Sequence, residues 1–319
     1  MTGSAFTSQY HTMVGRTRAV ARSSDELSGL PAAGRVSVGS LSQMGECSMS
    51  RDSETGRGDP RFRGGETDRF LVFSPTRCGS TTLGRLLNCH PQIRCLEEPF
   101  NPFNYEGRYL RQATNSVELD RVVEVIWTTH NGIKHTWAPD GWPFVGNPAL
   151  NAAILLKPQQ KVIFLRRRNL LRRLVSAHIS NQTGVWGVFD RDDRKIVENF
   201  AFTPMDTVSV KAQLRADNQM LSHYRSLLVD NGTSFIDVVY EDLYCCVESP
   251  IDQIEILNGI FTFLGVKGID DEGTLSRVGY LLNPEIMKLN SFHTYNTIPG
   301  IQEIDQECGS DETGWLFGQ

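Results

Sequence analysis

Short apolar runs separated by helical patterns set the outline of this chain. Phe70-Leu71-Val72-Phe73, Val162-Ile163-Phe164-Leu165 and Ser234-Phe235-Ile236-Asp237-Val238-Val239-Tyr240 predict strands, the first two apolar on both faces. A shorter strand is predicted at Gly132-Ile133-Lys134-His135-Thr136. Between these runs, apolar residues recur at helical spacing. Leu83, Leu86 and Leu87 open one helix, and Leu170, Leu171, Leu174 and Val175 stripe another that starts near Asn169. Further helices are predicted over about 116–129, 148–156 and 250–264. A long one runs over about 205–230 through Leu214, Met220, Leu221, Tyr224, Leu227 and Leu228. Strands alternating with helices imply an α/β chain: a doubly wound parallel sheet with helices on both faces. Such sheets bind ligands beyond the carboxyl ends of their strands.

Two of those strand ends carry candidate chemistry. The first strand runs into Ser74-Pro75-Thr76-Arg77-Cys78-Gly79-Ser80-Thr81-Thr82 and then into a helix. A small-residue loop before a helix N-terminus is an anion cradle, because backbone N–H groups and the helix dipole point into it. The loop is not a Walker A motif: Gly79 is followed by Ser80 rather than by Lys, and Arg77 is its only cation. It is not a Gly-x-Gly-x-x-Gly fingerprint either. An ordinary turn capped by Ser80 explains the loop equally well on its own. The second strand runs into Arg166-Arg167-Arg168-Asn169, with Ser176 about two turns along the next helix. A strand-end Arg168 and a helix Ser176 can hold one phosphate from two sides. A nucleic-acid surface is excluded by a formal net charge of −5 and by the lack of aromatic-basic interleaving.

With both motifs in view, the chain resembles the sulfotransferase superfamily, which uses 3′-phosphoadenosine 5′-phosphosulfate (PAPS). There a P-R-x-G-[ST]-[ST] loop binds the 5′-phosphosulfate, and an Arg followed eight residues later by a Ser binds the 3′-phosphate. Pro75-Thr76-Arg77-Cys78-Gly79-Ser80-Thr81 matches the loop apart from one inserted residue, Thr76, and Arg168 with Ser176 matches the second pair. His90-Pro91-Gln92-Ile93-Arg94-Cys95-Leu96-Glu97-Glu98-Pro99 is similar to a stretch of carbohydrate, tyrosylprotein and bacterial sulfotransferases in which a carboxylate is the base. Spacing from Arg77 favours Glu98 over Glu97. The resemblance covers roughly residues 68–300 and implies a P-loop-like fold. It implies Arg77, Cys78, Gly79, Ser80, Thr81 and Thr82 on the phosphosulfate, and Arg168 and Ser176 on the 3′-phosphate. Glu98 would be the general base. Lys134, in a G-[IF]-K pattern, would be a second cation near the departing oxygen, or else a solvated surface Lys. Lys288, in the stretch Lys288–Tyr295, is placed on the donor. Tyr240-Glu241-Asp242-Leu243 matches a structural strand end, with Glu241 and Asp242 capping the next segment. The implied acceptor bears a hydroxyl, on a glycan, a lipid or a small metabolite. The aromatic residues Tyr105, Tyr109, Trp137, Trp142 and Trp186 are candidates to stack on it.

Composition adjusts this outline at its ends. Residues 1–66 are rich in Gly, Ser and Arg, hold no Lys and show no sustained period, so they are expected to be disordered. Residues 67–302 then form the domain and 303–319 an acidic tail. No run approaches a membrane span and no signal-peptide core is present, so a cytoplasmic protein without a transmembrane segment is expected. Seven Cys and seven His show no ligand spacing, which implies no metal site and no complete disulfide set. Cys78 sits beside Arg77 at a helix N-terminus, where a lowered thiol pKa is expected, the alternative being an inert small residue. Two other readings stand beside the sulfotransferase: a P-loop small-molecule kinase, and a non-catalytic nucleotide binder of the same fold.

Overall fold

The computed structural model describes residues 68–187, 191–245, 250–284 and 292–317. Along the chain lie β1 (Arg69–Pro75), α1 (Ser80–Leu87), β2 (Cys95–Glu97), α2 (Arg108–Gln112), α3 (Ser116–Trp127), β3 (Gly132–Trp137), α4 (Ala149–Leu155), β4 (Gln160–Arg166), α5 (Leu170–Thr183) and α6 (Arg191–Glu198). Then come α7 (Thr207–Asp230), β5 (Phe235–Val239), α8 (Tyr240–Tyr244), α9 (Pro250–Phe263), α10 (Glu272–Leu282), α11 (Phe292–Asn296) and α12 (Ile301–Cys308). The sheet order is β2-β3-β1-β4-β5 and every pairing is parallel. This is the doubly wound, P-loop-like arrangement. β1 is central, so the loop after it opens where the chain switches from one half of the sheet to the other.

Strand alternation divides the core into two layers. Phe70 and Val72 of β1, with Ile163 and Leu165 of β4, pack with Leu83, Leu86 and Leu87 of α1 and with α9 and α10. Leu71 and Phe73, with Ile133, Val162 and Phe164, pack with α3, α4 and α7 on the other face. Burial on both faces is why β1 and β4 read as unbroken apolar runs. A third cluster joins α5, α7 and α12 beyond the sheet.

Two expectations meet the chain's ends. Residues 1–66 lie outside the described residues. The packing does not stop at 302, because α12 and the chain after it seat on the start of α5. Leu316 is fully buried, its N–H donates to Asp305 Oδ1 at 2.7 Å, and Asn169 Nδ2 donates to the Trp315 carbonyl at 2.8 Å. Residues 303–317 are therefore part of this core rather than an acidic tail. Glu303, Glu307, Asp311 and Glu312 are exposed, while Ile304, Asp305, Cys308 and Leu316 are buried.

Gly132 opens β3 directly opposite Phe70. A Cβ there would run into the Phe70 ring, which is fully buried and has no room to move. Gly132→Ala is expected to destabilise the fold by about 1–3 kcal/mol, the usual cost of overpacking, as a lower urea midpoint with unchanged slope. An unchanged midpoint would show that this edge of the sheet yields.

Candidate functional site

The loop after β1 is held from three sides. Thr76 N donates to the Trp137 carbonyl at 3.1 Å, and the Thr76 carbonyl accepts from Arg173 Nη1 at 3.2 Å. Arg173 itself is paired with Asp217 of α7, and both are buried. The inserted residue is thus tied to β3 and α5. Gly79 has φ 79°, a conformation that favours Gly, and a Cβ would lie 2.9 Å from both the Tyr240 and Tyr244 rings. Tyr244 Oη donates to the Gly79 carbonyl at 3.2 Å. No side chain caps α1 at Gly79. Ser80 is buried in the first turn rather than acting as the cap.

Arg77 also takes a left-handed conformation, φ 66°. Holding such a residue costs of order 1–3 kcal/mol, so the surrounding contacts must fix it. They do: Nε donates to Ser176 Oγ at 3.0 Å and Nη1 to the Trp186 carbonyl. Burial, and then the charge of Arg167, pull Arg77 down to about 10. Arg167 has Glu241 at 3.7 Å, and its own pKa is raised because Tyr240, Tyr295 and Glu241 outweigh burial.

Lys134 is the second focus. It lies in mid-β3 and projects onto the α1 face, with a side chain only 2 % exposed. Its ammonium donates to Thr81 Oγ1 at 2.9 Å, contacts Glu98 Oε1 at 3.0 Å and lies 3.6 Å from Glu97 Oε2. The solvated alternative for Lys134 is therefore wrong: the hydrophobic strand carries the cation inward. Gly84 of α1 leaves space for it, since a Cβ there would already touch Glu97 Oε1 at 3.4 Å and Lys134 Cδ at 3.6 Å. Glu98 follows β2 with φ 45°, and Asn101 Nδ2 donates to its Oε2 at 2.8 Å. Burial pushes the Glu98 carboxyl up, but Lys134 and hydrogen bonds from Asn101, Lys134 and Thr136 outweigh it, and its pKa lies below the ordinary value. Glu98 is an ionised carboxylate at neutral pH. Glu97 and Glu98 address the same ammonium, and Glu98 is the nearer and better buried.

In the second anion motif, Ser176 and Arg168 have separate partners. Ser176 meets Arg77, as above. The Arg168 guanidinium donates to Asp242 Oδ1 at 2.8 Å, with a side chain 57 % exposed. Glu241 accepts Arg168 N at 2.8 Å and Asn169 N at 3.0 Å, while Asn169 Oδ1 caps α5 by accepting Arg172 N. The start of α5 is thus satisfied by Glu241 and by the amide of Asn169; Glu241 and Asp242 were expected to cap the segment that follows them, but both lie inside α8 and turn to this distant helix start instead. The buried guanidinium here is Arg167, stacked 4.5 Å over the Tyr240 ring. Charge counting along three adjacent arginines does not single it out.

Among the aromatic candidates, Trp137 is fully buried against Phe73 and Tyr224 and belongs to the core. Trp142 stacks with Phe103 at 6.3 Å; Phe103 is exposed and lies two residues from Asn101, the Glu98 partner. Tyr105 and Tyr109 meet edge to face. Trp186 is exposed beside Arg77. Lys288 lies outside the described residues. No helix of the described residues is long and apolar enough to cross a membrane, and they contain no group of three His, Cys, Asp or Glu placed to hold a metal.

No protein-family model matches the chain, and no curated protein matches it. Among solved structures, it is similar to the sulfotransferase domain from the Synechococcus PCC 7002 olefin synthase, at 17 % identity over 67 % of this chain and 78 % of that one, with a TM-score of 0.32.

Cys78 corrects a local reading. Burial pushes its thiol up to about 12, outweighing the lowering by Arg173 and Arg167, so the alternative of an inert small residue holds. Iodoacetamide at pH 8 is expected to alkylate the exposed Cys245 and leave Cys78 unmodified until the protein unfolds, as read by peptide mass mapping. Early labelling of Cys78 in the folded protein would contradict this.

Proposed function

We propose that this chain transfers a sulfuryl group from PAPS to an acceptor hydroxyl. One observation carries the reading: a buried Lys134 joins the carboxylate of Glu98 to Thr81 in the anion loop, so base, cation and loop converge on one point. The residues also suit an anionic donor. Arg77 and Arg167 bring two partly buried guanidiniums, and no side chain caps α1.

In this reading, the loop from Arg77 through Cys78, Gly79, Ser80 and Thr81 to Thr82 cradles the phosphosulfate with backbone N–H groups. The segment from β4 to Ser176 takes the 3′-phosphate. Glu98 accepts the proton of the acceptor hydroxyl as its oxygen bonds to sulfur. The bond from sulfur to the bridging oxygen breaks, and that oxygen leaves with the electron pair on the phosphate. Arg77 and the α1 N-terminus stabilise the charge that develops there. Lys134 keeps Glu98 ionised and fixes Thr81. The exposed Phe103, stacked with the half-buried Trp142 and two residues from Asn101, suits an acceptor with a flat or CH-rich face, such as a sugar or an aryl group.

The test is transfer of label from PAPS to hydroxyl acceptors in a cell extract. Glu98→Gln is expected to lower turnover about 10²–10⁴-fold with donor affinity kept, as for loss of a general base. Glu97→Gln, farther from the ammonium, keeps most of it. The acid limb carries a second expectation. Because the folded-state pKa of Glu98 is lowered, the active carboxylate persists as pH falls through the ordinary carboxylate range, and rate is lost only below it. Full turnover by Glu98→Gln, or stabilisation by ATP with Mg²⁺ but not by adenosine 3′,5′-bisphosphate, contradicts the proposal.

A further inference from the structure

We infer that Asn151, acting with His135, is the positioning residue that sets an acceptor platform, Phe103 stacked on Trp142, relative to Glu98. The inference rests on the reading of Glu98 as the base and names what fixes the acceptor beside it.

β3 hangs both halves of this arrangement from consecutive residues. Lys134 projects toward α1 and holds the Glu98 carboxylate. His135 projects to the opposite face, where its ring lies against Phe73, Phe100 and Phe144. Its Nε2 meets Asn151 Oδ1 of α4 at 2.8 Å. Asn151 Nδ2 in turn donates to the Gly141 carbonyl at 3.0 Å and to the Trp142 carbonyl at 3.2 Å. Both carbonyls can only accept, so the orientation of the amide is fixed and His135 Nε2 carries a proton. Burial, outweighing Asn151 and Glu98, pulls His135 down to about 4, so the ring is neutral at neutral pH.

A wholly buried Asn in an apolar layer is costly unless each polar atom is paired, and here each one is. What it pairs is the turn that carries Trp142. From that turn two aromatic contacts lead back to the chain after Glu98: Phe144 with Phe100 at 5.2 Å and Trp142 with Phe103 at 6.3 Å. The Phe103 N–H donates to Asn101 Oδ1 at 3.0 Å, and Asn101 Nδ2 donates to Glu98 Oε2 at 2.8 Å. The contacts close a ring from Glu98 through Asn101, Phe103, Trp142, Asn151 and His135 to Lys134 and back. Phe103 is its exposed member, so a ligand meets the ring there. Removing the Asn151 amide frees the Trp142 turn while Lys134 keeps its hold on Glu98, and platform and base then lose their register.

Label transfer from PAPS to 2-naphthol, a flat hydroxyl compound used as the probe acceptor, tests this on the full chain. Asn151→Leu keeps the volume and removes all three hydrogen bonds. It should raise KM for 2-naphthol at least about tenfold and lower kcat less than about threefold, with affinity for adenosine 3′,5′-bisphosphate unchanged by calorimetry. Phe103→Ala should also raise KM, and adding Asn151→Leu to it should raise KM less than about twofold further, because the two act through one contact. Should Asn151→Leu fail to fold, Asn151→Ser leaves room for a water to join the same groups and should show the same split at smaller size. An unchanged KM, an effect that adds fully to that of Phe103→Ala, or a parallel loss of bisphosphate affinity overturns the inference, the last two by showing a general structural role. A wild type that binds the bisphosphate but does not sulfate 2-naphthol overturns the inference and leaves the donor reading standing. A wild type that does not bind the bisphosphate overturns the donor reading itself.

Discussion

A charged lysine inside the sheet layer is the constraint on which the site depends. Lys134 is almost wholly out of water, and an isolated ammonium there would cost several kcal/mol. The cost is offset only if carboxylates and hydrogen-bond acceptors are brought to it. The sheet order does this. β3 lies between β1 and β2, so the end of β2 delivers Glu97 and Glu98 from one side and the helix after β1 delivers Thr81 from the other. Breaking a buried pair of this kind by removing one partner typically costs about 3–5 kcal/mol. The geometry that makes Glu98 a candidate base is therefore also a condition of folding.

The other side of the loop carries arginines. Arg77 and Arg167 are both partly buried, and the acid nearest Arg167, Glu241 at 3.7 Å, also accepts two backbone N–H groups. Arg173 differs, because Asp217 neutralises it and it serves to hold Thr76. An ionised carboxylate held by a cation on one flank and two arginines on the other give the loop two distinct ends. Among the described residues, two of the five non-glycine residues with positive φ are Arg77 and Glu98, one at each end. Their strain is sustained by the contacts that fix them.

The sheet and its long helices were legible because parallel strands are buried on both faces and so read as unbroken apolar runs. β2 escaped that reading: three residues at a sheet edge make too short a run. The stretch after residue 302 was misread because its acids dominate its composition, although Ile301, Ile304 and Cys308 recur at helical spacing and Leu316 adds a further buried anchor beyond the helix. Motif spacing brought Arg77, Thr81, Lys134, Glu98 and Ser176 to one region, but burial is not a local property. Cys78 looked activated beside Arg77 and is silenced by the core around it.

The most direct measurement is the titration of Glu98 itself, followed by carbon NMR of its side-chain carboxyl, assigned with Glu98→Gln and repeated in Lys134→Met. A midpoint below the ordinary carboxylate range in the wild type, rising above that range once Lys134 is gone and burial acts alone, is the predicted result. A wild-type midpoint at or above the ordinary range, or one that does not move in Lys134→Met, would contradict the view that a buried lysine holds the candidate base ionised beside the anion loop.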